Sequence, residues 1–353
     1  MPISNRLTGA IALTLAFAGC SLPSEPPRAL PAPPSEGAET APSDAERSGP
    51  ATTVDPPAMR FPALARPAWN GQRKAAPVTP VMGHPRTWAG DLRVRELAMI
   101  GATLYAASGK LCAVPLEGGP WKTVETGGVT GLTRMTGDGQ RLYLGGNDGS
   151  LHGLDPSHGG AARLGQVPSE VTGLGLARGK LYVASARDGL FKLPAGGGKA
   201  APLASAEAPA RVIADLALGN EACYTLGERV WRWPLDGASP ALVPDTQGAT
   251  AIASHRGVLY VGTADGWVLA SADDGRSTHA LGKMADAPIE ALGADESWLY
   301  ASSGNAITMM DLKTFTPMPC HSGFAAPVSS LTILDGQTVL VGMRAQGLTS
   351  MPR

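Results

Sequence analysis

Leu142-Tyr143-Leu144-Gly145-Gly146-Asn147-Asp148-Gly149-Ser150-Leu151-His152-Gly153-Leu154-Asp155 is one β-hairpin written out in full. Two apolar runs flank Asn-Asp-Gly, and Gly at the turn accepts positive φ without steric cost. Working outward, Tyr143 is one of six tyrosines that share a single register: Tyr105, Tyr143, Tyr182, Tyr224, Tyr260 and Tyr300. Leu340 takes the seventh equivalent place, and the gaps run from 36 to 42 residues. An apolar residue precedes each one: Leu104, Leu142, Leu181, Cys223, Leu259, Leu299 and Val339. A fixed period near 40 indicates stacked supersecondary units.

Each unit reads as four short strands. An apolar run comes first, such as Val171 to Ala177 before Arg178-Gly179. The Leu-Tyr strand follows and closes in Asp-Gly or Gly, at Asp148-Gly149, Asp188-Gly189, Asp265-Gly266, Gly109 and Gly304. A third strand then ends in Pro or Asp, over Leu111 to Pro115, Leu151 to Asp155, Leu190 to Pro194, Val230 to Pro234 and Leu348 to Pro352. Proline stops a ladder because it has no N–H to donate. A more polar fourth strand leads to the next unit. Four antiparallel strands per period of this length describe a β-propeller blade, whereas helical repeats would need 3.6-residue apolar spacing and fewer glycines. The expectation is an all-β, seven-bladed propeller over residues 86–353. Its last unit lacks a fourth strand, so Arg86-Thr87-Trp88 is expected to pair there and close the ring.

The Leu142–Asp155 segment, and Leu259 to Gly266 likewise, resemble the repeat of pyrroloquinoline-quinone-type propellers. The same repeat builds the propeller lipoprotein of the outer-membrane protein assembly machinery, which this chain resembles in being lipidated and propeller-only. The chain differs in lacking the Trp that ends each such repeat, and in having seven units where eight are usual. The quinone enzymes are far longer, so no cofactor is expected. Ser271-Ala272-Asp273-Asp274-Gly275 resembles the Asp-box of sialidase propellers, a turn element remote from catalysis.

The N-terminus reads as an address. Met1 to Arg6 is basic, and Leu7 to Ala18 is an uncharged, mostly apolar run, too short for the ~20 residues a span needs but of signal-peptide length. Phe17-Ala18-Gly19-Cys20 resembles a bacterial lipobox, which makes 1–19 a lipoprotein signal peptide and Cys20 the lipidated residue that holds the chain to a membrane. Ala16-Phe17-Ala18 alternatively fits an ordinary cleavage site that would release a soluble exported protein. Ser21 after the Cys implies outer-membrane sorting if the source is Gram-negative. Residues 20–85 read as a disordered tether: fifteen of the 31 prolines fall there, removing backbone donors and favouring extended, solvated chain.

With 29 Lys+Arg against 30 Asp+Glu, the chain lacks the basic excess a nucleic-acid partner would need. Cys112, Cys223 and Cys320 fit neither a disulfide framework nor a CxxC metal site. His84, His152, His158, His255, His279 and His321 show no metal-ligand spacing, and no catalytic motif occurs, so no catalytic, metal or cofactor residues are assigned. Trp231-Arg232-Trp233 is either core between blades or an aromatic ligand platform. If a site exists, it belongs where the second-to-third-strand turns and the inter-blade loops share one face, near Asn147, Asp148, Arg187, Asp188, Asp265 and Arg344. The first expectation is a non-catalytic binding or scaffolding module contacting envelope proteins. A lyase- or lactonase-type enzyme at the channel mouth, and a carbohydrate or peptidoglycan binder, are the alternatives.

Overall fold

A computed structural model of the chain describes residues 86–89, 93–203, 212–334, 338–344 and 347–352. The expected signal peptide, Cys20 and the tether up to residue 85 lie outside the described residues, as does His84. The described residues form seven four-stranded antiparallel sheets and no helix, so the seven-bladed propeller stands. Blades 1 to 6 span 96–124, 132–166, 171–202, 215–242, 249–283 and 291–322. Blade 7 consists of 328–352 plus β1 (Arg86–Ala89), which pairs with the last strand of the chain, Leu348–Pro352. The register is Arg86↔Ser350 and Thr87↔Thr349, then a bulge, then Ala89↔Leu348. The expected closing strand is therefore in place, and blade 7 has no exposed outer edge at that ladder.

The core lies between blades rather than within one layer. Leu142, Leu144, Met135 and Leu154 of blade 2 pack on Tyr105, Ala107 and Leu111 of blade 1. Tyr224, Leu226 and Val230 of blade 4 pack on Ile252, Leu259 and Val261 of blade 5. All six tyrosines are buried, and Tyr224 has no exposed surface at all (0%). Its hydroxyl still needs a partner in that setting, and it donates to Asp274 Oδ1 of blade 5 at 2.9 Å.

Six of the seven inner strands open on a buried aliphatic residue, Val94, Leu132, Val171, Ile213, Ile289 or Val328, each 4% exposed or less, and blade 5 has Ala249 at 8% in that place. Several of these amides cross to the preceding blade, as Val94 N→Met343 O at 3.2 Å, Leu132 N→Gly109 O at 3.2 Å and Val328 N→Gly304 O at 2.9 Å. The next residue decides how the strand continues. In blades 2, 3, 5 and 7 it is Thr133, Thr172, Thr250 or Ser329, and the ladder bulges there. The bulge takes that residue out of the ladder, and in blades 2, 5 and 7 its hydroxyl becomes a clamp to the next blade, whereas Thr172 Oγ1 reaches only Ala184 O of its own blade at 3.5 Å. Thr133 Oγ1 donates to Gly145 O (3.1 Å) within its blade and to Val171 O (2.7 Å) of the next. Thr250 bridges Gly262 O and Ile289 O in the same way, at 3.3 and 2.7 Å. Ser329 bridges Gly342 O (3.2 Å) and Val94 O (2.6 Å), fastening the last blade to the first. In blades 1, 4 and 6 the register is unbroken, and the equivalent positions hold Arg95, Ala214 and Glu290.

The hairpin glycines are where close approach demands them. Gly266 has φ +84, and a Cβ there would collide with the Ala285 carbonyl of the adjoining loop. Thr133→Val keeps the shape of the clamp but removes the single hydroxyl hydrogen that Gly145 O and Val171 O share. The expected loss is about 1–3 kcal/mol, read as a fall of about 2–4 °C in Tm per kcal/mol. Thr133→Ser, which keeps the hydroxyl, should melt within about a degree of the parent.

Candidate central channel site

The turns between second and third strands and the inter-blade loops do share one face. Asn147 N bonds Thr130 O and Gly131 O at 3.1 Å, and Arg344 N bonds Pro327 O at 3.0 Å. Most of the residues anticipated there serve the turns themselves. Asp148 Oδ1 accepts from Ser150 N (3.0 Å) and Ser150 Oγ (2.6 Å), and this hydroxyl holds its carboxyl below the usual range. Asp188 Oδ2 accepts from Ser169 Oγ and Ser185 Oγ at 2.6 and 3.0 Å. Asp265 accepts from Thr263 Oγ1 at 2.5 Å. The Arg187 backbone amide reaches Ser169 Oγ at 3.4 Å. Arg344 is different: its Nη2 lies 3.4 Å from Glu290 Oε2, an inner-strand residue of blade 6.

Glu290 belongs to a cavity of about 320 Å³ along the central channel, lined by the starts of inner strands from around the ring. Arg95, Glu96, Arg134 and Asp215 also line it. Arg134 spans four blades. It pairs with Glu96 Oε1 of blade 1 at 3.2 Å, and donates to Thr172 O of blade 3 (Nε, 2.5 Å) and Ala214 O of blade 4 (Nη2, 2.8 Å). The other Glu96 oxygen accepts the Met135 amide. Burial pushes the Glu96 carboxyl up from 4.5 to about 7, against the pull of Arg134 and the Met135 N–H. Burial raises Asp215 as well, again opposed by Arg134.

None of these five acidic and basic residues stands out by motif. The signal that finds them is the repeat itself: aligned on the residue that opens each inner strand, the two following positions are Thr, Ser, Gly or Ala at nine of fourteen places and charged at the other five. Arg95, Glu96, Arg134, Asp215 and Glu290 are those departures.

The other candidates resolve as structure. Trp233 is 3% exposed and donates Nε1–H to Thr225 Oγ1 at 2.8 Å, and Trp231 packs beside the same blade 3–blade 4 core. Arg232 points the other way, to Asp274 of blade 5: Nε to the backbone O at 2.6 Å, Nη2 to Oδ2 at 2.8 Å. The Asp-box supplies that Asp274. Within it Asp273 accepts from Ser271 Oγ, Ser277 Oγ and the amides of Arg276 and Ser277; burial alone would raise its carboxyl, yet these bonds hold it down at about 2. His152 is buried, with Nδ1 3.1 Å from Thr126 O; His158 sits by Asp155, and His321 packs against Phe324 with the rings tilted by 57° and centroids 4.4 Å apart. Cys112, Cys223 and Cys320 are all free thiols, the first two buried. Among the described residues no group of three metal-ligating side chains converges.

No protein family and no curated protein matches the chain by sequence. Among solved structures it is similar to streptogramin B lyase (TM-score 0.65, 12% identity, covering 76% of this chain and 97% of the other). It is also similar to the extracellular domain of BT4673 from B. thetaiotaomicron (TM-score 0.61, 12% identity, 75% and 39%). A third is PorZ, a surface component of the type-IX secretion system of Porphyromonas gingivalis (TM-score 0.58, 17% identity, 76% and 38%). At these identities the likeness is one of fold, a β-propeller.

The raised Glu96 carboxyl makes a signed prediction. Below pH 4.5 both folded and unfolded chains hold its proton, and it adds no pH dependence. From 4.5 to about 7 the unfolded chain ionises first, so stability falls as pH rises, and above 7 the penalty is fully present. Since 24% of the side chain remains exposed, solvent screening holds the effect to on the order of 1–2 kcal/mol. Glu96→Gln, whose carbonyl can still accept the Met135 amide, should flatten the melting-temperature profile between pH 4.5 and 7. Parent and variant should converge on the acid side, with the variant relatively more stable above pH 7.

Proposed function

We propose that this protein is a lipid-anchored cell-envelope module that uses a rigid propeller surface to bind or scaffold other envelope proteins. The observation that carries the reading is the join between sequence and ring. The chain leaves the Pro-rich 20–85 segment and enters β1 at once, and β1 is the outermost strand of blade 7. A pull on the tether therefore loads a ladder at the rim, and the face carrying the hairpin turns and inter-blade loops is left for contacts. Turn carboxylates on that face already hold their own hairpins, which makes it a preformed surface that a partner meets with little ordering cost. That similar folds include an extracellular domain and a secretion-system surface component is consistent with such a role, as an analogy of fold.

A second reading, an enzyme working in the channel, is favoured by one observation. Glu96 titrates near neutrality beside Arg134 in a cavity of about 320 Å³, which is the setting of a general acid–base group. Streptogramin B lyase shares the fold.

Crosslinking in intact cells with mass spectrometry, comparing the native chain with Cys20→Ala, tests the first reading. The native chain should fractionate with membranes and yield one or two stoichiometric protein partners. Cys20→Ala should move to the soluble envelope fraction and lose them. A membrane-bound native chain with no reproducible protein partner sinks the scaffold role.

A further inference from the structure

The third strand of every blade opens the same way. One residue leaves the turn, and the next is a buried apolar side chain, Leu111, Leu151, Leu190, Val230, Val268, Ile307 or Leu348, each 2% exposed or less. The residue that leaves the turn is Lys110, Ser150, Gly189, Arg229, Ala306 or Gly347 in six blades, always small or charged. In blade 5 it is Trp267, and 41% of that residue stands in solvent. A lone exposed apolar residue is ordinary on a protein surface. Trp267 differs because the repeat fills its place elsewhere with small or charged residues, and because it lies on the face of the hairpin turns and inter-blade loops.

The turn that carries Trp267 is rigid. The Trp267 amide donates to Thr263 Oγ1 at 3.0 Å, and that hydroxyl donates to Asp265 Oδ1, so the turn is tied across its base. Both flanking loops bond to it as well: Ala264 N→Gly248 O at 2.9 Å on one side, Met284 N→Gly266 O at 2.8 Å and Ile289 N→Thr263 O at 3.1 Å on the other. Along the strand Trp267 shares a side with Leu269, which packs against the core between blades 4 and 5, so Trp267 leans toward blade 4. The blade 4 side of this face also exposes Pro244, in the loop between those blades, and Val212 (71%), at the entry to blade 4. Burial of a rigidly held Trp is the kind of contact that dominates binding energy, since little ordering cost is left to meet.

Charge selects the partner. Among the described residues, the turns and loops of blades 4 and 5 on this face expose Glu228, Asp245, Asp265 and Asp286 against Arg229 and Lys283, and Lys283 is held by Asp286 at 2.8 Å. Carboxylates around an aromatic ring favour cations in two ways, through the field they set up and through the ring's own negative face. Across the ring, at blades 7 and 1, the same face exposes Arg93, Arg95, Lys110 and Arg344, which repel a basic partner toward the acidic side. We propose that the Trp267 corner of the turn face docks a basic segment of an envelope protein, one in which Arg or Lys alternates with apolar residues. Its apolar side chains cover Trp267 and its cations meet Asp245 and Asp265. This inference rests on the scaffold reading and names its surface.

The test uses the full chain labelled with 5-fluorotryptophan, the Trp267 signal being the one missing from Trp267→Phe. Two peptides of a dozen residues serve as probes, one alternating Arg with Leu and one alternating Glu with Leu. The Arg peptide should shift the Trp267 signal saturably, and more weakly as salt is raised. By calorimetry, Trp267→Ser should weaken binding about tenfold or more, and Asp245→Asn about twofold to fivefold. Asn accepts the positive φ of 55° at position 245. Both variants change exposed side chains and should melt within about two degrees of the parent. No shift at millimolar peptide overturns the proposal, as does an equal response to the Glu peptide. So does self-association of the chain that Trp267→Ser abolishes, which would give the surface to a second copy. In cells, crosslinked partners of the native chain should be lost with Trp267→Ser. Partners that persist in that variant overturn this surface and leave the scaffold reading standing, whereas a native chain without partners ends both.

Discussion

Everything in this molecule depends on closing the ring. A four-stranded blade presents two faces and two edges, and alone it buries too little to be stable. Stacking seven of them around an axis buries both faces of every blade, but only if the seventh meets the first. Two devices make that meeting. Ser329 Oγ reaches from Gly342 O to Val94 O, joining the inner strands of blades 7 and 1, and β1 completes the rim of blade 7 from the other end of the chain. The first is one instance of a bridge that Thr133 and Thr250 make elsewhere; the second has no repeat.

The clamp also explains where the chemistry lies. A bulged blade puts a hydroxyl at that position, and in blades 2, 5 and 7 the expelled residue lies against two carbonyls. An unbulged blade satisfies the ladder with its own amide and leaves the side chain unconstrained. Arg95 and Glu290 occupy such positions, and Glu96 and Asp215 stand one place further on, after Arg95 and Ala214. Arg134 takes the complementary part, since one guanidinium gathers a carboxylate from blade 1 and carbonyls from blades 3 and 4. Charge in the channel is thus placed by the exceptions to the repeat, and the raised carboxyls of Glu96 and Asp215 follow from burial that outweighs the pull of their shared cation, Arg134.

The architecture was legible because it is periodic. Tyr105 to Tyr300 recur in one register, and the first strand over Val171–Ala177 and the third strands ending at Pro115, Pro194 and Pro234 end where the sequence punctuates them. Even the closing strand was readable, as a missing fourth strand at one end and a surplus run at the other. The site was less so. Asp148, Asp188 and Asp265 were conspicuous because turns favour Asp, and the turns are what use them. Glu96, Arg134 and Asp215 lie 38 and 81 residues apart along the chain, and their meeting is a property of the ring that no local spacing records. Arg344, anticipated on that face, proved to be the one that reaches an inner strand. The signal peptide, Cys20 and the tether rest on sequence pattern and remain part of the proposal.

The central claim is that β1 locks the ring, and hydrogen exchange measured by mass spectrometry tests it most directly. In the full chain, peptides from Thr338–Met343 and Leu348–Pro352 should exchange as slowly as the matching strands of blades 2 to 6. In a chain beginning at residue 90, exchange over Leu348–Pro352 should accelerate by at least tenfold, and the loss of protection should spread to the blade 7–blade 1 seam at Val94. Unchanged protection of blade 7 without β1 would contradict the account.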